Sequence, residues 1–151
     1  MGYHISILRT HSNPILMEDV RLAISRMSDR LAFDQDAQPD PQVYQPARGD
    51  ESEIMLLEDG ELWAKNPSEE FLGLMIELAG LLGARARGDE FETYRSLDET
   101  YHHPDDRELI AQAAERSRKL ASEVRRKDWM VRIATVGVAA LIGWSYARFI
   151  K

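Results

Sequence analysis

The chain contains no cysteine, which excludes disulfides, thiolate metal sites and cysteine nucleophiles together and suits a reducing compartment. Serine, histidine and aspartate are present, but without a nucleophile elbow or a glycine-rich phosphate loop to organise them. The N-terminal MGYHISILRTH lacks the charged stretch and apolar run of a cleaved signal. Gly2 and Ser6 fit the loose M-G-x-x-x-[ST] acylation pattern, yet Tyr3 through Leu8 read better as a buried strand. Positive charge is scarce ahead of the tail. Residues 1–124 hold 25 acidic against 13 basic side chains, a net of −12, while residues 125–151 hold six basic and one acidic. Such a surface suits nucleic acid poorly, because phosphate contacts need lysine and arginine. It repels anionic lipid and attracts basic protein. Solubility alone is the plainer account of the same acidity.

What is present is enough for one domain of ordinary size and an appendage: 151 residues, 44% apolar and 30% charged. Tyr3 to Arg9 alternates as a strand. Ser12 or Asn13 can cap a helix after Pro14, with Val20, Ala23, Ile24, Met27 and Leu31 as its core stripe. Residues 34–52 carry three prolines and hardly any aliphatic side chain, which predicts a long mobile loop. Asp59-Gly60 between the runs 53–58 and 61–65 is a strong hairpin signal, since both residues tolerate positive φ. Asn66 as cap, Pro67 and Glu69 then open a second helix, with Phe71, Leu74, Met75, Leu78 and Leu82 on its apolar face and Gly83 at its end. Ala84-Arg85-Ala86-Arg87 alternates as a final edge strand. Strand, helix, hairpin, helix, strand is the order of an α+β, ferredoxin-like split βαβ head (βαββαβ), placed at residues 1–94.

A polar segment and stalk helix are expected over 95–127, with Ile110, Ala113, Ser117, Leu120 and Val124 at 3-4-3-4 spacing. This third helix is expected to run into a single C-terminal transmembrane helix within 128–151. Residues 129–150 read WMVRIATVGVAALIGWSYARFI, interrupted only by Arg132 and Arg148. As a helix the stretch would be about 33 Å long, near the thickness of a hydrocarbon core. A buried core helix and an interfacial helix are the alternatives. Arg125, Arg126, Lys127 and Arg132 outweigh Arg148 and Lys151 across it, which predicts a tail anchor in the inner (cytoplasmic) membrane, with its head in the cytoplasm. Thr135, Ala139, Gly143 and Ala147 recur every fourth residue, a stripe that favours close helix packing and a homodimer through the tail.

No catalytic residue, cofactor or metal site is expected. His102-His103-Pro104-Asp105-Asp106 has metal-ligand residue types but reads as a turn and helix cap. The candidate partner-binding residues are carboxylates: Asp89, Glu90 and Glu92 in one cluster, and Asp34, Asp36, Asp40, Asp50 and Glu51 in the 34–52 loop.

Lys65-Asn66-Pro67, Leu82-Gly83-Ala84, Gly88-Asp89-Glu90 and Glu92-x-Tyr94, after a YHISI strand, resemble a group of small uncharacterised bacterial proteins with a KNP…LGA…GDE.E.Y pattern. The resemblance covers about residues 3–94 and departs at Phe91, where a glycine is expected. It implies no catalytic residues, and it suggests by analogy an immunity partner of a toxin. The expected function is therefore a membrane-tethered protein-binding module, in its most concrete form one that neutralises a basic toxin. A dimeric membrane-anchored regulator or scaffold is the alternative, and a membrane-associated enzyme of unknown reaction the third reading.

Overall fold

A computed structural model describes residues 2–10, 13–46 and 53–122. Its first compact unit spans Met1–Arg107 and a second begins at Glu108. In the first unit the chain runs β1 (His4–Leu8), α1 (Met17–Ile24), β2 (Ala32–Asp34), β3 (Gln42–Tyr44), β4 (Ile54–Glu58) and β5 (Glu61–Lys65). It continues through α2 (Glu69–Leu81), β6 (Arg85–Gly88), β7 (Glu92–Tyr94), β8 (Thr100–His102) and a 3-10 turn at Pro104–Asp106. In the second unit the chain is helical through 122.

The strands form one sheet of eight, in the order β2-β3-β4-β5-β1-β6-β7-β8, and every neighbouring pair is antiparallel. The expected four-stranded ferredoxin-like sheet is thereby corrected. The four anticipated strands sit side by side as β4-β5-β1-β6, but β2–β3 extends the sheet on one side and β7–β8 on the other. Ala84–Arg87 was expected at an edge; β6 lies between β1 and β7. The 34–52 segment is likewise not one uniform loop, since Gln42–Tyr44 pairs with both β2 and β4.

The membrane expectation is corrected as well. Among the described residues no helix is long and apolar enough to cross a membrane. The last described helix carries Glu108, Glu115, Arg116, Arg118 and Lys119, and such charges are costly within hydrocarbon. The single-pass, inner-membrane, tail-anchored placement is not supported. The 129–150 stretch behind it, with Thr135, Ala139, Gly143 and Ala147, lies outside the described residues.

Local chemistry explains the central elements. Asp59 and Gly60 adopt φ of 50° and 82°, which matches the twist of the β4–β5 hairpin. A Cβ at Gly60 would also strike Pro14. The start of α2 differs from expectation: Ser68 is the cap, accepting the Phe71 N–H at 3.2 Å. Asn66 instead sits at φ 49° and accepts the Tyr3 N–H at 2.7 Å, tying β1 to the end of β5. Gly83, at φ 59°, closes α2: its N–H and that of Ala84 donate to Gly80 and Ala79, the pattern of a Schellman cap.

Both helices cover one face of the sheet. Val20, Ala23, Ile24, Met27, Phe71, Leu74, Met75 and Leu78 pack with Ile5, Ile7, Met55, Leu57, Leu62, Ala64 and Ala86 in one buried cluster. Side chains alternate between faces along a strand, so the register identifies the opposite face. A single row crosses it: Gln42, Leu56, Trp63, Ser6, Arg87, Thr93 and Tyr101.

Candidate functional site

The face away from the helices has two differently treated halves. Over β6 and β7, Arg85, Arg87 and Thr93 are sealed by the chain itself. Asp106, 1% exposed, accepts from Arg85 Nη2 and Arg87 Nη1, both at 2.9 Å and both through Oδ1. Thr93 is equally buried. The short turn after β8 therefore carries a carboxylate onto the sheet and closes that half.

Over β4 and β5 no such cover exists among the described residues. Ile54 is 42% exposed, and Leu56 and Trp63 are half-buried. They line a hollow of about 330 Å³ that continues to Lys65, Pro67 and Phe71 at the start of α2. The Trp63 indole is fixed on two sides. Its Nε1–H donates to Glu58 at 3.0 Å, and the His4 ring meets it edge-on at 5.7 Å between centroids. Glu58 stands directly opposite Glu61 in the register, on this same face. Like charges opposed across two strands destabilise a sheet slightly unless something positive lies near. A fixed aromatic, two aliphatic side chains and an opposed carboxylate pair thus share one surface.

The carboxylates expected from the sequence fall into three groups. Asp89 and Glu92 are engaged within the fold. Asp89 accepts the His4 N–H at 2.8 Å and lies 3.5 Å from His4 Nδ1. Glu92 receives the Tyr3 hydroxyl and the Tyr94 hydroxyl, the latter at 3.3 Å. Burial first, then the charge and hydrogen bond of Glu92, push the Tyr94 phenol up. Gly88 makes room for this corner, because a Cβ there would strike Glu92 and Tyr3. Phe91 beside it holds φ 65°, a conformation that favours glycine and costs a bulky residue energy. Glu90 is exposed. Asp34, Asp36 and Asp40 lie on or beside the outer β2–β3 pair, where the Asp34 carboxylate accepts the Asp36 N–H at 3.0 Å. Asp50 and Glu51 lie outside the described residues. The structure does not gather these groups into one site.

No group of three or more His, Asp or Glu side chains among the described residues could hold a metal. His102 Nδ1 lies 3.2 Å from the Phe91 carbonyl, and His103 accepts the Asp105 N–H at 3.3 Å as cap of the 3-10 turn.

Sequence reasoning passed over Ile54, Leu56 and Trp63. The signal was the unbroken run Ile54-Met55-Leu56-Leu57, since a strand with one solvated face alternates and one with both faces apolar does not. No protein-family model, curated protein or solved structure matches the chain.

Proposed function

We propose that the chain is a protein-binding module whose contact surface is the bare half of the sheet over β4 and β5. The observation that supports this reading is the partly exposed, oriented apolar group Ile54, Leu56 and Trp63. Contiguous apolar patches mark interaction sites on soluble domains, and tryptophan is enriched among binding hot spots. Glu58 and Glu61 at its border, with the net of −12 over residues 1–124, favour a cationic partner that inserts an apolar side chain between basic ones. A basic toxin fits that chemistry, and the immunity role is the most concrete form of the reading.

The experiment is affinity capture on the immobilised full chain, run side by side with Ile54→Lys. That substitution removes an apolar contact and adds like charge toward a cationic partner, at a site exposed enough to leave the fold intact. A basic protein retained by the wild type and lost by the variant supports the proposal. The same proteins retained by both would remove it.

A further inference from the structure

Beyond the protein contact, the structure offers a small pocket of opposite character. Leu8, Arg9, Gly83, Ala84, Arg85, Tyr101 and His103 line a hollow of about 210 Å³. In a chain of net charge −7, this hollow has two arginines and a histidine in its wall and no acidic side chain.

Both arginines are held by part of the guanidinium and leave a donor over. Arg9 donates through Nε to the Leu82 carbonyl and through Nη1 to Asp19, at 2.8 and 2.9 Å. Its Nη2 has no hydrogen bond to a described residue. Arg85 is anchored by Nη2 on Asp106 at 2.9 Å, and its Nη1 lies 3.9 Å from Asp105, too far for a hydrogen bond. The side chains are only 16% and 12% exposed, so neither guanidinium is freely solvated. Asp19, Asp105 and Asp106 offset much of the charge, and Asp105 comes within 3.9 Å of Arg85 and 3.6 Å of His103, but none of the three lines the hollow. His103 adds a third donor. Its Nδ1 accepts the Asp105 N–H, so the neutral ring carries its proton on Nε2. Each guanidinium already has a carboxylate partner, so what the hollow adds is an unfilled donor on each, and a guanidinium suits phosphate oxygens in particular.

We infer that this hollow binds a phosphate group, with Arg9, Arg85 and His103 as donors and Leu8, Ala84 and Tyr101 as walls around a small organic remainder. The volume exceeds that of the phosphate alone, which favours a small phosphate monoester over the free ion.

The test is a titration of the isotope-labelled full chain, followed by amide shifts, with inorganic phosphate, glycerol phosphate and acetate at matched ionic strength. Saturable shifts at Gly83, Ala84, Arg85 and His103 are expected with both phosphates, more tightly with the ester, and not with acetate. Arg9→Gln and His103→Gln should each weaken binding about tenfold, as loss of one charge-assisted hydrogen bond does. Neither removes a member of the Arg85–Asp106 pair, and amide shifts unchanged away from the hollow will show that the fold survives even where melting falls with the lost Arg9–Asp19 bridge or His103 cap. Tighter binding of the free ion would overturn the monoester assignment. Shifts that never saturate, that acetate reproduces, or that persist in both variants would overturn the site.

Discussion

The two halves of the face opposite the helices differ in what they show to solvent. Over β6 and β7 the side chains are charged, and the chain covers them: Asp106 bridges Arg85 and Arg87 beneath the turn that follows β8. Over β4 and β5 they are apolar, and Ile54, Leu56 and Trp63 stay partly exposed. Burial of apolar surface is the cheaper operation, at roughly 25 cal/mol gained per Å², whereas burying an ion pair gains little or nothing. Among the described residues the charged half is sealed and the apolar half is left partly exposed, the reverse of what stability alone would favour. The contrast is the ground of the proposal that binding lies on β4–β5, while β6–β8 serve the architecture.

The largest effect should come from breaking the sealed half. Asp106→Asn leaves two arginines under the turn without their shared charge, and the loss should be about 3–5 kcal/mol of unfolding free energy in urea melts. The matching change on the bare half, Leu56→Ala, should cost well under that, because a half-buried side chain leaves a smaller cavity. Equal losses from the two would erase the distinction. Next comes the corner that joins β1 to the β6–β7 turn. Gly88→Ala forces a Cβ against Glu92 and Tyr3 and should cost about 1–3 kcal/mol as overpacking does, seen as a lowered melting temperature.

Smaller again is the cap of α2. Ser68→Ala should lose about 1 kcal/mol by thermal melting.

Why Ser68 and not Asn66 caps the helix shows where reading from sequence stops. Asn66, Pro67 and Glu69 satisfy the local rules for a helix start, but the Asn66 carboxamide is taken by the Tyr3 amide, 63 positions away. Such a partner leaves no trace in a short window. Strands of three residues, such as β2, β3, β7 and β8, are too short to show alternation, so the sheet reads as four strands when it has eight. What was legible rests on single residues with one physical role: Asp59-Gly60 at the hairpin, Gly83 at the end of α2, and the buried Val20, Ala23 and Ile24 of α1, although the helix stops at Ile24 and Met27 and Leu31 are buried beyond its end. Of the site, the acidity was legible and the apolar centre was not, because the carboxylates were weighed without knowing which ones the fold uses. Asp89 and Glu92 are among those it uses.

The smallest expected effect is on acid stability. The Leu16 amide, opposed by desolvation and aided by Arg9, holds Asp19 below the ordinary carboxylate range. The Arg30 hydrogen bond does the same for Glu77. Both groups bind protons less readily in the folded state than unfolded. Their contribution is therefore complete above the unfolded carboxylate pKa of about 4 and is lost as pH falls through the lower folded values. Urea midpoints measured from pH 6 down to about 3 should fall less steeply for Asp19→Asn than for the wild type.

Once a cationic partner is captured, its affinity for two variants separates a bare apolar surface from diffuse acidity. Leu56→Ala with Trp63→Ala should weaken binding about a hundredfold, the scale of two hot-spot truncations, while the melting temperature changes little. Asp34→Asn with Asp36→Asn and Asp40→Asn should change affinity less than about threefold, as exposed charges at a rim do. The reverse result, with the apolar pair dispensable and the outer aspartates essential, would contradict the assignment of binding to β4 and β5.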